Sequence, residues 1–268
     1  MIGVTFNGRL GNQLFQFYFF LYLKSRNRNK FFFFVNPHHS YITRYFNLGR
    51  YNLLIGSKVG SLFTRSLPKV LRFENLYPQN FVAPRAFEVR NWTIYNGYFQ
   101  SDWYLKHSKE KVNISDKKKY LKQFRSLYGD LFEEHKTVAV HIRRTDYLHY
   151  GKRDISLPIS YFKRQLASIE DLSTYKVIFL SDEIDFVKEA FPKQDNFIYS
   201  TNNEIVDFQI IQHADVAIIS NSCFAWWAAY LSPKANRVIG PKNWLGFRVG
   251  REHPRGIMTD RFEWREVL

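Results

Sequence analysis

Short apolar runs alternate with amphipathic stretches through the second half of the chain. Such runs are typical of strands buried on both faces of a parallel sheet, and the stretches between them have the apolar spacing of helices. The predicted strands are 137–142, 176–181, 196–200, 215–220 and 236–240, and the predicted helices are 158–169, 184–191, 204–214 and 222–231. Regular alternation of strand and helix predicts βαβ units and therefore a Rossmann-like lobe.

The first half starts with the same pattern and then loses it. The predicted order is a strand at 2–6, a turn at 7–12, a helix at 13–26 and a strand at 31–35, whereas 36–52 and 78–92 are polar and resemble loops. We expect an α/β protein of two facing Rossmann-like lobes, residues 1–132 and 133–268, with a boundary near 128–136. Ligands of parallel sheets bind beyond the carboxyl ends of the strands, so the predicted site is the cleft between the lobes.

Composition favours an ordinary globular protein. Aromatic residues make up 18% of the chain, and the single cysteine, Cys223, excludes an internal disulfide. The apolar stretches 14–23 and 31–35 are each too short to span a bilayer, and no pattern typical of a secretory signal is present. We therefore expect a cytoplasmic location.

The formal net charge of +15 has two possible explanations: an anionic binding partner, or basic side chains that are simply solvated at the surface. A field of this sign attracts polyanions, phosphorylated small molecules and anionic membranes alike, so a nucleic-acid-binding protein is one hypothesis. Basic runs such as 115–124 are equally explained as the solvated face of a helix.

Charged residues follow the strand that opens the second lobe. His141, Arg143, Arg144 and Asp146 lie at or just past its carboxyl end. A guanidinium grips a diphosphate well because its planar fork of donors engages two oxygens together. One arginine is expected to face the ligand; the alternative is a salt bridge of Arg143 or Arg144 with Asp146 across the lobes.

A second anion site is predicted where strand 215–220 leads into the next helix. Asn221 or Ser222 can cap that helix, and Ser222, Cys223 and Phe224 can offer hydroxyl and backbone donors to a phosphate. Cys223 itself is expected to be a small buried thiol. The large aromatic residues that follow at helical spacing are predicted to be core: Trp226, Trp227 and Tyr230.

Two further positions carry open alternatives. In the glycine turn 8–14, which contains Gly11, Asn12 is either a helix cap or a ligand donor, with the cap favoured. Asp182, at the end of strand 176–181, either accepts from a nucleobase or ribose or caps the next helix. The chain has no two aspartates separated by one residue, so we expect no metal and assign the leaving-group charge to arginine and helix amides.

Six segments, taken in order, resemble the motifs of bacterial α-1,2-fucosyltransferases. They are GRLGNQLFQ (8–16), NGYFQSDWYL (96–105), HIRRTDY (141–147), VIFLSDE (177–183), ISNSCFAWWAAYL (219–231) and VIGPKNW (238–244). The resemblance implies a GT-B-type fold, GDP-fucose as donor, and inversion at the anomeric carbon without a required metal.

The resemblance also implies roles for individual residues. Arg143 matches the arginine that holds the β-phosphate of the donor, with His141 and Asp146 in the same motif. Asn12 matches an asparagine that faces the diphosphate, and Asp182 matches an acid near the guanine. The segment Ser222, Cys223 and Phe224 matches a phosphate-binding helix start. Thr145 replaces a usual glycine and Cys223 a usual serine.

Several alternatives stay open at this point. Asp146 is the first candidate for the general base and Asp102 the second. The resemblance suggests a galactose-terminated oligosaccharide or lipid-linked glycan as acceptor, and the excess positive charge suggests peripheral docking at an anionic inner membrane. The other hypotheses are a transferase of the same fold with another nucleotide sugar, and a nucleic-acid-binding protein, although no nucleic-acid-binding motif is present.

Overall fold

A computed structural model describes residues 1–78 and 80–268, which form two compact α/β units. The first unit contains Met1–Lys117 and Pro254–Ile257, and the second contains Lys118–His253 and Met258–Leu268.

The first unit is built on a four-stranded parallel sheet, in the order β2-β1-β5-β4, and a separate antiparallel pair of β3 with β6. Its helices and strands, in chain order, are β1 (Ile2–Val4), α1 (Leu10–Arg26), β2 (Phe32–Phe34), α2 (Ile42–Tyr45), β3 (Phe46–Asn47), α3 (Tyr51–Gly56), α4 (Lys58–Val70), β4 (Glu74–Leu76), β5 (Thr93–Tyr95), α5 (Trp103–His107) and β6 (Ser115–Asp116).

Aromatic stacking on α1 forms the core of the first unit. Phe20 stacks on Phe34 of β2 with 4.4 Å between ring centroids, and Phe19 stacks on Phe99 at 3.6 Å. Because α1 is covered on nearly every side, its continuous apolar run lacks the usual amphipathic alternation. No helix in the described part of the chain is long and apolar enough to cross a membrane.

The region without periodicity is not all loop. Residues 36–52 contain α2, β3 and the start of α3. These elements span only two to six residues each, which is less than two helical turns, so no periodic pattern can develop.

The second unit is built on a six-stranded parallel sheet, in the order β12-β11-β10-β7-β8-β9. Its helices and strands, in chain order, are α6 (Lys118–Glu134), β7 (Thr137–Ile142), α7 (Ile159–Ala167), β8 (Lys176–Ser181), α8 (Ile184–Ala190), β9 (Phe197–Tyr199), α9 (Glu204–His213), β10 (Val216–Ile219), α10 (Cys223–Tyr230), β11 (Arg237–Pro241) and β12 (Glu263–Arg265). All five predicted strands and all four predicted helices of this half are present.

The division between the units differs from the predicted one. A boundary between residues 132 and 133 falls inside α6, which groups with the second unit. The buried side chain of α6, Phe124, stacks on His213 of α9 at 4.9 Å, and this packing attaches the helix to the second sheet. The lysines of α6 are exposed, as a solvated helix face requires.

Candidate functional site

The strand order of the second unit places a topological switch point between β7 and β10. These two strands are neighbours, and the chain leaves them toward opposite edges of the sheet. Crevices beyond the carboxyl ends of two such strands are the usual ligand sites of doubly wound sheets. The arginine segment follows β7, and the start of α10 follows β10. The two predicted anion-binding segments are therefore brought together at this edge.

Arg143 is held by two carboxylates. Its Nε and Nη2 donate to Asp146 Oδ1 at 2.9 and 2.5 Å, and its Nη1 lies 2.9 Å from Asp182 Oδ2. The second contact follows from sheet register, because Ile142 of β7 pairs with Ser181 of β8 and the next residues then lie side by side. Of the predicted alternatives, a bridge to Asp146 is present, but it lies within one loop and does not join two lobes.

The backbone of this loop is also fixed by Asp182. Its Oδ1 accepts from the Arg144 N–H at 2.9 Å, and its Oδ2 accepts from the Thr145 hydroxyl. A glycine at 145 would lack that hydroxyl, so the departure from the family pattern adds a bond. Asp182 does not cap α8, whose first turn is preceded by Glu183.

Arg144 turns toward β8 and α8. Its Nε donates to Glu183 Oε2 at 2.7 Å, and its guanidinium carbon lies 3.5 Å from the centre of the Phe186 ring. Both contacts brace the loop, and the stacking uses the face of the guanidinium while the carboxylate uses its edge.

His141 is buried under this loop. Its Nδ1 lies 2.8 Å from the Ser220 Oγ at the end of β10, and only 8% of the residue is exposed. Burial lowers the pKa of His141 to about 4, with the positive charge of Arg143 acting in the same direction and Asp182 against it. The ring is therefore neutral near pH 7 and joins β7 to β10.

The start of α10 supplies backbone donors. Ser222 occupies the N-cap position, but its side chain makes no capping bond, and Asn221 donates instead to the Ile155 carbonyl at 2.8 Å. The predicted side-chain cap is therefore wrong. Cys223 is only half-buried, which corrects the expectation of a buried thiol. The leading N–H groups of any α-helix lack intrahelical acceptors, so this end favours an anion.

Trp226, Trp227 and Tyr230 of α10 are core residues, as predicted. Both tryptophans are fully buried, and Trp226 stacks on Tyr230 with 4.6 Å between ring centroids. This packing fixes α10 on the sheet and thereby fixes the position of its first turn.

The glycine turn of the first unit is held by neutral amides. Gln13 Nε2 donates to the carbonyls of Gly8 and His39 at 3.2 and 2.9 Å, and its Oε1 accepts from the Tyr41 N–H at 2.6 Å. Gln16 bonds the Asn7 N–H and the Gly97 carbonyl. Gly8 has φ +71°, and a Cβ there would lie 2.3 Å from the Asn12 Nδ2.

Asn12 is not a cap. Helix α1 begins at Leu10 with Arg9 as its N-cap, so Asn12 and Gly11 lie in the first turn, and Asn12 Oδ1 accepts from Gln100 Nε2 at 3.0 Å. The second candidate base, Asp102, is buried and lies 2.8 Å from the Lys106 ammonium. Asn12 and Asp102 belong to the first unit, whereas the loop that carries Arg143 belongs to the second.

Sequence reasoning missed the residues that orient the predicted ones. Ser220 comes directly after β10 and Glu183 two residues after β8, so their position just past strand ends was an available signal. Gln13 and Gln16 gave no signal, since a glutamine within an apolar helix pattern does not reveal its backbone partners. In the described part of the chain, no three His, Cys, Asp or Glu side chains cluster as a metal site would require.

Comparison with known sequences identifies relatives. The model of the family described as Glycosyl transferase family 11 matches residues 1–247. The chain is 26% identical over 200 residues to the O-antigen biosynthesis glycosyltransferase WbnK of Escherichia coli, covering 68% of this chain and 66% of that protein. It is 25% identical over 207 residues to an alpha-1,2-colitosyltransferase of Escherichia coli, covering 66% and 68%. The chain thus spans about two thirds of the length of these relatives.

Comparison with solved structures bears on the fold. NodZ alpha-1,6-fucosyltransferase co-crystallised with GDP superposes with a TM-score of 0.54 at 14% identity, covering 90% of this chain and 95% of that chain. A glycosyl transferase family 9 protein from Veillonella parvula gives a TM-score of 0.55 at 11% identity, covering 100% and 87%. The α/β fold of GT-B type that the sequence predicts is confirmed.

Proposed function

The chain belongs to glycosyl transferase family 11, and from that premise we propose that it transfers L-fucose from GDP-fucose to the 2-hydroxyl of a terminal galactoside, with inversion at the anomeric carbon. The observation that carries the proposal is Arg143, set between two carboxylates at the switch point where the first turn of α10 begins. The names of the two relatives, one for O-antigen synthesis and one for α-1,2 transfer, are consistent with it.

Arg143 would meet the charge that develops on the leaving group. As the bond between the sugar C1 and the β-phosphate oxygen breaks, negative charge grows on GDP, and a preorganised guanidinium lowers that barrier. The diphosphate would replace Asp146 as the partner of Nε and Nη2, because Asp146 is half exposed whereas Asp182 is largely covered. Asp182 would keep the guanidinium in place during the exchange.

The same exchange would free a base. Asp146, released from Arg143, would accept the proton of the attacking 2-hydroxyl, and Asp102 is the second candidate. His141 is not proposed as a proton carrier, because its Nδ1 is engaged by Ser220 and burial keeps the ring neutral. We propose that it positions the Arg143 loop against β10.

The start of α10 and the glycine turn would bind the donor, whereas Arg144 would act only on the loop. The N–H groups of Cys223 and Phe224 at the start of α10, together with the Ser222 hydroxyl, would hold a phosphate, because the Ser222 N–H already donates to the Ser220 carbonyl at 2.7 Å. Asn12 and Gly11 are the proposed diphosphate contacts of the first unit. Arg144 would brace the loop through Glu183 and Phe186 without touching the donor. No divalent ion takes part in this scheme.

One relative is named as a colitosyltransferase, so a colitosyl nucleotide is the specific alternative to GDP-fucose. The nucleic-acid-binding hypothesis has no support from the family match or from any motif.

The test is a donor and acceptor panel. Calorimetry with GDP, GDP-fucose, GDP-mannose, a colitosyl nucleotide and UDP sugars should show tight binding of guanosine nucleotides alone. Incubation with galactosyl disaccharides and linkage analysis should then give an α-1,2-fucosylated product, with equal yield in the presence of a chelator. Transfer of another sugar, another linkage, or activity that disappears with the chelator would contradict the corresponding part of the proposal.

A further inference from the structure

Helix α4 exposes its apolar side. Val59 and Val70 are 80% and 74% exposed, and Leu62 and Phe63 between them are 63% and 53% exposed. A helix turns about 100° per residue, so these four side chains share one side. The side that packs on the first unit carries instead two small hydroxyl residues and one leucine: Ser61, Thr64 and Leu67.

This is the reverse of the usual arrangement for a surface helix. A helix normally buries its large apolar residues and exposes its polar ones, as α6 does with Phe124 inside and its lysines outside. Leaving four large side chains in water costs hydrophobic free energy, and a contiguous exposed apolar surface marks an interaction site.

The charges beside this surface are all positive. Lys58, Arg65 and Lys69 follow at spacings of seven and four residues, which places them on one edge of the apolar side. Arg72 follows directly after the helix, and residues 51–73 contain no acid. The helix therefore presents an apolar stripe bordered by a basic one.

We infer that this face of α4, defined by Val59, Leu62, Phe63 and Val70 with Lys58, Arg65 and Lys69, docks on an anionic lipid surface. Helices that lie in the interface of a bilayer combine these features: apolar side chains enter the boundary of the acyl chains, and long cationic side chains reach the phosphates. Charge complementarity fixes the occupant, because a negative leaflet attracts every charge that borders the stripe.

A second copy of this chain fits the face less well. In a two-fold dimer the same patch meets itself, so the basic edges of both copies would lie close together without acids to neutralise them. Docking on lipid would place the first unit at the membrane. Part of the chain's excess positive charge would then face the anionic headgroups.

The experiment is cosedimentation with vesicles at low salt. We expect the full chain to bind vesicles of phosphatidylcholine with phosphatidylglycerol, to bind pure phosphatidylcholine weakly, and to dissociate as salt rises. V59Q/L62Q should weaken binding about tenfold through lost apolar insertion. R65Q/K69Q should weaken it roughly 20- to 30-fold, since each basic residue near an anionic surface contributes about fivefold.

Matched controls come from α6. Leu127 is 53% exposed on that helix and Lys118 and Lys122 are exposed elsewhere on it, so L127Q and K118Q/K122Q remove similar groups from a different surface. These variants should bind vesicles like the wild-type chain. Circular dichroism should show that every variant keeps its helix content.

Three outcomes would overturn the inference. The wild-type chain fails to bind anionic vesicles, or the α6 variants lose as much binding as the α4 variants, or V59Q/L62Q converts a dimer to a monomer in light scattering. The vesicle assay uses neither donor nor acceptor, so its result is independent of the proposed reaction. Transfer to a water-soluble disaccharide should be unchanged in the α4 variants.

Discussion

The turn after β1 and the turn after β7 each lead from a buried parallel strand, but opposite chemistry holds them in place. The first is fixed by the neutral amides of Gln13 and Gln16, which bond backbone groups without adding charge. The second is fixed by Arg143 and two carboxylates, all near the surface.

The difference has a physical consequence for ligand binding. The Gln13 and Gln16 side chains are almost fully buried, so their amides cannot be released from these bonds without leaving buried donors and acceptors unpaired, and the first turn is therefore rigid. A partly solvated ion pair costs little to exchange, because water and an incoming anion can replace a partner. The second turn is therefore the one suited to bind and release a charged ligand.

The largest expected effect is loss of activity on removing the guanidinium of the second turn. R143A should lower both transfer and GDP-fucose hydrolysis by about 100- to 1000-fold, as loss of one preorganised donor to a developing anion does. Initial rates with donor in excess measure this. R143K keeps the charge but lacks the planar fork of donors, so its rate should lie between those of R143A and the wild-type chain. Wild-type turnover in R143A would exclude the assigned role.

The first turn should respond in stability rather than in chemistry. Q13A removes three bonds and leaves the Tyr41 N–H and His39 carbonyl without their partner, which should lower the free energy of unfolding by about 3 kcal/mol. Urea denaturation measures it. Q13E should be worse, because it places a charge among neutral groups, and a variant as stable as wild type would show that the amide bonds are dispensable.

The neutral histidine beneath the second turn predicts a pH effect. Its folded pKa of about 4 lies below the ordinary 6.5, so the unfolded chain binds the proton first and stability falls as pH drops from about 6.5 toward 4. Between pH 7 and 5 the loss from His141 should be about 2 kcal/mol.

Burial raises the pKa of Asp116 and Asp207 to about 6. These two carboxyls therefore bind protons more readily in the folded chain and raise its stability as pH falls over the same range, opposite to His141. The measurement is therefore the difference in pH dependence between wild type and H141N, since both aspartates are present in each. Identical pH profiles of unfolding for the two proteins would refute the prediction.

The smallest effect is expected at the start of α10. Loss of a capping hydroxyl usually costs about 1 kcal/mol, but the Ser222 side chain makes no capping bond, so S222A should change stability by less than about 0.5 kcal/mol. If this hydroxyl contacts a phosphate, GDP should bind about tenfold more weakly in calorimetry. A large stability loss with unchanged GDP affinity would reverse the assignment.

Much of the second unit could be predicted from sequence. Strands β7 and β10 are fully buried and helices α6 and α7 are amphipathic, so these local patterns report the tertiary environment directly, and β7, β10 and α10 lie where the patterns place them. The first unit was less predictable. Its strands span two or three residues, and α1 is apolar on nearly every side, so periodicity carries little information there.

The sequence by itself determined the family, the fold class and the segments that carry the site, because motif identity and the alternation of apolar and polar residues are local properties. Only the tertiary structure decided the partners: Arg143 with both Asp146 and Asp182, His141 with Ser220, and Gln13 with three backbone groups. It also decided that α4 turns its apolar side to solvent. Each of these depends on strand register and on which face of a helix meets its neighbour, and neither is written in the spacing of a single segment.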